Sequence, residues 1–171
     1  MTLLDFFKNT SNLKNISRQG WIDKLSIEHP ESVADHSYSM AIMAMIISDL
    51  ENYNSEKILK MVLLHDLAES KIGDLTPDQI SKDEKEQIEN NAFSEIIEKL
   101  PNSIKLQYAE IWKEYQKQTS RESQIVHQID RLEMALQAKI YEKSSLSKKD
   151  ISPFLETAKA DITHPKLKEL F

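Results

Sequence analysis

Apolar side chains recur along this chain at intervals of three and four residues, and capping residues stand where most of the runs begin. Leu3, Leu4, Phe6, Phe7 and Leu13 outline a short amphipathic helix. The period then lapses, and a loop is expected through Arg18, Gly20 and Trp21 to His29-Pro30. Ser32 and Asp35 have capping-box spacing, and Val33, Met40, Met43, Ala44 and Ile47 carry a helix to about Asn52. That helix is apolar nearly all round, which places it centrally. Ser55 is the next expected N-cap, with Ile58, Leu59, Val62 and Leu63 inward and Gly73 ending the helix.

Thr76-Pro77 with Gln79 reads as a further helix start. Ser81 and Glu84 form another box, opening a charged helix that runs to Leu100 before Pro101. Ile104, Tyr108, Ile111, Trp112 and Tyr115 mark one further helix. Ser120 caps a long one with Ile125, Ile129, Leu132 and Leu136 on its buried stripe. The stretch from Ser144 to Ser147 reads as a loop, Ser152-Pro153 as the cap of a last helix, and the tail after Thr163 as frayed. No strand, repeat or domain boundary is visible. The expectation is an all-α bundle forming a single domain over residues 1–171.

Composition narrows the chemistry. The 171 residues include no cysteine, which excludes disulfides, zinc–thiolate sites and a cysteine nucleophile. Gly20 and Gly73 are the only two glycines, so Rossmann, Walker and nucleophile-elbow loops are excluded as well. Bound phosphate must therefore meet side chains or a metal. The net charge of −6, with no basic block, argues against nucleic-acid polymers and anionic membranes as partners. The first residues are not expected to act as a secretory signal, and no apolar run approaches the roughly 20 residues that span a bilayer. A cytoplasmic protein is expected.

Polar residues intrude where the helical pattern calls for apolar ones. His65-Asp66 follows Val62-Leu63-Leu64, His36 precedes an apolar stretch, and Asp130 lies between Ile129 and Leu132. A buried carboxylate needs a partner, and a divalent cation is an economical one. Two imidazoles and two carboxylates from three helices suit Mn, Fe, Co, Ni or Zn. Taken singly, His36 also reads as a hydrogen-bonded core histidine, and Asp130 as a partner of Arg131 or a lysine. Glu69 shares the face of His65 and Asp66, either as a base or as a solvated helix-end carboxylate. Asp74 follows Gly73 in a tight turn, as a plain turn residue or as a carboxylate turned into the same pocket. Arg18 suits bidentate contact with phosphate and Trp21 suits packing on a base or on the protein, although the same loop also reads as ordinary surface.

The order His36, His65-Asp66, Asp130 resembles the HD-domain metal phosphohydrolases. Leu13-Lys14, Arg18-Gln19-Gly20-Trp21, Pro30 to His36, His65 to Glu69, Gly73-Asp74, Lys82 to Lys85, Trp112-x-Glu114-Tyr115 and Gln128 to Ala138 are similar to the YfbR-type 5′-deoxynucleotidases and the HD domain-containing protein 2 family. The likeness covers about residues 13–141, leaving the C-terminal tail peripheral. It implies an all-α HD fold, a homodimer, and hydrolysis of 2′-deoxynucleoside 5′-monophosphates to deoxynucleoside and phosphate. By position it implies His36, His65, Asp66 and Asp130 as metal ligands, Glu69 as the catalytic carboxylate and Arg18 as the phosphate contact. It implies Asp74 beside the sugar, where a 2′-hydroxyl is disfavoured, with Trp21 and Lys82 as further substrate contacts. The bacterial members have their tryptophan directly after the arginine, whereas this chain inserts Gln19-Gly20. A second metal, where relatives hold one, would draw on Glu31, Asp35 or Glu133. Another HD-type activity, on phosphodiesters or nucleotide pyrophosphates, and a non-catalytic nucleotide-binding module are the alternatives.

Overall fold

The computed structural model describes residues 2–144, 146 and 149–170. Among them there is no strand, only an isolated antiparallel bridge between Ser17 and Ser32. Helix α1 (Leu3–Asn12) begins where Asp5 accepts a hydrogen bond from the Thr2 backbone at 2.9 Å, and a 3₁₀ turn over Leu13–Asn15 follows it.

The expected loop at Arg18, Gly20 and Trp21 is instead helix α2 (Gln19–Leu25). Two long-range effects override its glycine. Asp74 accepts from the Gln19 backbone N–H at 2.7 Å, satisfying one orphan donor of the first turn. Trp21 and Leu25 are both buried, each contributing about 1.5–3 kcal/mol of apolar transfer. Gly20 has a negative φ, and a Cβ added there would meet nothing within 4 Å.

Helix α3 (Val33–Leu50) opens with the Ser32–Asp35 capping box and buries Val33, His36, Met40, Ala44 and Ile47. It packs against α4 (Ser55–Leu64) and α8 (Arg121–Lys143), but it is not enclosed all round as its apolar pattern implies: Tyr38, Ile42, Ile46 and Leu50 are exposed along one side. The cap of α4 is Asn54, which accepts from Lys57 N–H at 3.0 Å; Ser55 donates to Asp49 instead. Leu63, expected inward, is exposed.

The helix expected to reach Gly73 stops at Leu64. Nδ1 of His65 bonds the Val62 carbonyl at 2.6 Å, engaging the acceptor that the next helical N–H would use. Tighter i→i−3 bonds follow, from Leu67 to Leu64, Glu69 to Asp66 and Ser70 to Leu67. Such a turn aligns side chains three apart, here Asp66 and Glu69. Helix α5 (Glu69–Ile72) then closes on Gly73 at φ 78°.

Thr76-Pro77 opens a turn and no helix; only the Gln79 half of the box forms, accepting from Thr76 N–H at 3.2 Å. Helix α6 (Lys82–Ile97) starts at the Ser81–Glu84 box and stops short of Leu100. Helix α7 (Asn102–Lys117) follows Pro101, and α8 begins at Ser120 as expected. Ser144 is in a turn and Leu146 in a bend, whereas Ser145 and Ser147 lie outside the described residues. Helix α9 (Ser152–Asp161) is entered from Ile151, with Asp150 accepting from the Ser152 backbone at 2.9 Å.

Residues 163–170, expected to fray, are docked instead. Gln128 accepts from the backbone of Thr163 at 2.8 Å and of His164 at 2.7 Å, and α10 (Pro165–Lys168) buries Leu167 completely. The main core lies among α3, α4, α6, α7 and α8. A smaller cluster joins Trp21, Leu25 and Ile27 to Ala138, Tyr141 and Ile151. Among the described residues, no helix is long and apolar enough to cross a membrane.

Candidate active site

Helix α3, the turn that follows α4 and helix α8 bring His36, His65, Asp66 and Asp130 together, with His65, Asp66 and Asp130 lining one cavity. His65 Nε2 lies 3.0 Å from Asp66 Oδ2, and His36 Nε2 lies 3.3 Å from Asp130 Oδ1 and 3.8 Å from Asp66 Oδ2. Ligand atoms of His36, His65 and Asp66 all fall within 4.8 Å of one another. Each imidazole is fixed from behind. Nδ1 of His36 donates to Glu133 at 2.7 Å, and Nδ1 of His65 donates to the Val62 carbonyl. Both Nε2 atoms are buried without a hydrogen-bond partner.

Two orphaned imidazole nitrogens facing carboxylates fit a divalent cation, because each residue offers the donor that a borderline metal takes. The electrostatics agree. Burial and Arg18 push His36 down, but Asp130 and Glu133 outweigh them and hold it up at about 9. Burial opposes ionisation of Asp66, yet His65, Arg18 and His36 keep that carboxyl well below the usual range. Asp130 is likewise held low against burial, by His36 and Arg131. Carboxylates that draw a proton onto a buried histidine would draw a cation to the same place.

The cavity above has a volume of about 510 Å³. Arg18, the N-cap residue of α2, reaches in to place Nη1 3.3 Å from Asp66 Oδ2. Glu69 is 2% exposed, with Oε2 buried and unpartnered. Burial first, then Asp66 and Asp74, raises its carboxyl well above the ordinary glutamate value. Lys85 stands 4.0 Å from Glu69, 3.5 Å from Glu89, and donates to the Leu75 carbonyl at 2.6 Å. A buried carboxylate with raised proton affinity, beside a cation site and an arginine, is equipped to take a proton from water next to a phosphoryl group.

Residues 10–170 match the HD domain. The chain belongs to the HD-domain family. This HD domain is 36% identical to the 5′-deoxynucleotidase HDDC2 of Homo sapiens over 170 residues, covering 99% of this chain and 82% of that protein. It is 38% identical to the 5′-deoxynucleotidase hdd1 of Schizosaccharomyces pombe, covering 98% of this chain and 86% of that one. Among solved structures, the PH0347 protein of Pyrococcus horikoshii superimposes with a TM-score of 0.78 at 31% identity, covering 98% of this chain and 94% of its own.

Not every residue singled out from the sequence faces the cavity in the same way. Asp74 lines it while capping α2 through Gln19. Trp21 lines it too, but is only 2% exposed, with Nε1 donating to Glu31 at 2.9 Å and its ring packed on Tyr141 and Phe154. Lys82 is exposed on the first turn of α6 and does not line the cavity; Lys85, one turn on, does. Lys85 lies in the same Lys82-Asp83-Glu84-Lys85 segment, so the motif was visible and the facing residue was not. Of the candidate second-metal carboxylates, Glu133 sits behind His36, Glu31 accepts from Trp21, and Asp35 is exposed in its capping box. His127 lines the cavity with its ring stacked on Tyr115 at 4.1 Å.

Proposed function

We propose that this HD domain is a metal-dependent 5′-deoxynucleotidase, hydrolysing 2′-deoxynucleoside 5′-monophosphates to deoxynucleoside and phosphate. The observation that carries the reading is the pair of orphaned Nε2 atoms of His36 and His65 beside Asp66 and Asp130, with Arg18 bonded to the same Asp66. The deoxynucleotidase names of the eukaryotic relatives supply the substrate class.

A divalent cation held by His36, His65, Asp66 and Asp130 would supply Lewis acidity toward a phosphate oxygen. Arg18, oriented by Asp66, balances charge on the phosphoryl oxygens as the ester bond to the 5′-oxygen breaks. Glu69 orients the attacking water and takes its proton. The new P–O bond forms to that water as the bond to the 5′-oxygen breaks, and the 5′-oxygen leaves as the deoxynucleoside hydroxyl on taking up the proton that Glu69 accepted. Asp74 presents its carboxylate beside the sugar, where a 2′-hydroxyl is disfavoured. Burial around Glu69 and His65 keeps bulk water from competing with these contacts.

The donor set of two imidazoles and two carboxylates favours Mn, Fe, Co, Ni or Zn. A homodimer is supported by the stripe of exposed Tyr38, Ile42, Ile46 and Leu50 along α3, and sizing by light scattering tests it. The function itself is tested by phosphate release from deoxy- and ribonucleoside monophosphates and from cyclic nucleotides, with Mn or Co. Deoxynucleotides are expected to turn over fastest. Faster ribonucleotide turnover removes the role of Asp74, and turnover of cyclic nucleotides alone moves the chain to another HD activity.

A further inference from the structure

Opposite its charged base, the cavity has an apolar end, and two helices run from one to the other. Along α2, Arg18 stands against Asp66 and Trp21 follows three residues on. Along α8, Met134 lies one turn beyond Asp130, about 6 Å away at ~1.5 Å per residue. Helix α9 closes this end. The Phe154 ring lies 4.6 Å from that of Trp21, tilted by 35°, and Pro153 and Thr157 line the same wall.

The polar groups of this wall already have partners. Trp21 Nε1 donates to Glu31, and the Thr157 hydroxyl donates to the Pro153 carbonyl at 2.8 Å. What remains is the half-buried Phe154 ring flanked by Met134 and Pro153. Such a wall suits a flat π-surface, which gains by face contact whatever hydrogen-bonding groups its edge carries. The opposite wall is less suited, because Tyr115 and His127 are stacked on each other, 3° from parallel, and Tyr115 is buried.

We propose that Phe154, with Met134 and Pro153, forms the nucleobase subsite: the base lies on the α9 wall while the phosphate lies between Arg18 and the His36–His65–Asp66–Asp130 cluster. This rests on the nucleotide reading above. It adds the C-terminal helix to the substrate site, and it makes recognition depend on the face of the base rather than its edge. All four bases then fit, and purines gain more from the wall than pyrimidines.

Gln116, next to Tyr115, lines the opposite wall, and the test compares dAMP, dCMP and base-free 2-deoxyribose 5-phosphate on metal-loaded wild type, F154A, F154L and Q116A. Turnover is measured on these proteins and equilibrium binding on the same variants in a Glu69→Gln background, so a protein that binds these ligands but gives no turnover with Glu69 present removes the hydrolase reading and leaves the subsite to the binding data. F154A is expected to raise KM and Kd for dAMP about ten-fold, with a smaller rise for dCMP and none for deoxyribose 5-phosphate. F154L, which keeps apolar bulk, is expected to give the same order with smaller changes. Q116A, on the opposite wall, is expected to leave all three ligands unaffected. Equal losses for nucleotide and base-free ligand in both Phe154 variants assign the ring a merely structural role and overturn the proposal. Unchanged dAMP affinity in both overturns it too, as does a nucleotide-selective loss in Q116A.

Discussion

Nδ1 of His36 donates to Glu133 at 2.7 Å in the interior of the bundle, so an imidazole from α3 is oriented by a carboxylate from α8. The bond fixes which nitrogen faces the cavity and raises the basicity of that nitrogen toward a cation. Glu133→Ala is expected to weaken metal binding about 10- to 100-fold, measured by competition with a chromophoric chelator. The buried N–H left without an acceptor also lowers stability by about 1–3 kcal/mol. A folded variant with wild-type metal affinity would remove the orienting role.

In the proposed mechanism Glu69 handles the proton and does not hold the metal. Its carboxyl lies 4.0 Å from Lys85, and burial with Asp66 and Asp74 raises its proton affinity. Glu69→Gln keeps the shape and removes the base. Bound metal should stay stoichiometric while kcat falls about 10²- to 10⁴-fold. Retained turnover sinks the assignment.

Lys85 and Lys82 make a contrast within one helix turn. Lys85→Met loses the bond to the Leu75 carbonyl and the cation near Glu69. Its turnover is expected to fall about ten-fold, roughly the worth of one charge-assisted hydrogen bond. Lys85→Arg should recover part of that, and Lys82→Met, altering an exposed side chain, should change little. Equal effects at the two positions would contradict the geometry.

The two glycines should respond in opposite directions. Gly20 has no positive φ and open space around a built Cβ, so Gly20→Ala is expected to stabilise the chain by about 0.5–1 kcal/mol. Gly73 sits at φ 78° and ψ 172°, a region that costs a residue with a side chain about 1–3 kcal/mol. Thermal denaturation of Gly20→Ala and Gly73→Ala reads both signs directly.

What the sequence disclosed was local, and what it concealed depended on distant partners. Ser32 with Asp35 and Ser81 with Glu84 announce their helices because each cap is complete within four residues. Asn54 and Ser55 are both good capping residues, and only the bond to Lys57 N–H separates them. Helix α2 was hidden because its support comes from Asp74 and Tyr141, far along the chain. The break after Leu64 was hidden because a ligand-type histidine turns its other nitrogen onto its own helix. The docked tail depends on Gln128 and on the pocket that buries Leu167, neither of which leaves a periodic trace. The cluster of His36, His65, Asp66 and Asp130 was legible for the opposite reason. Polar residues on apolar faces stand out before their geometry is known.

The bond from the Gln19 backbone to Asp74 has a bearing on how this site could diverge. In the proposed site, one carboxylate would face the sugar while it anchors the helix end that carries Arg18. A lineage that altered position 74 to accept a different sugar would at the same stroke loosen its grip on phosphate, unless a new acceptor for Gln19 arose elsewhere. If Asp74 and Arg18 act as proposed, selectivity and catalytic power are inherited together, and a change of sugar preference is more accessible through neighbouring wall residues than through Asp74 itself.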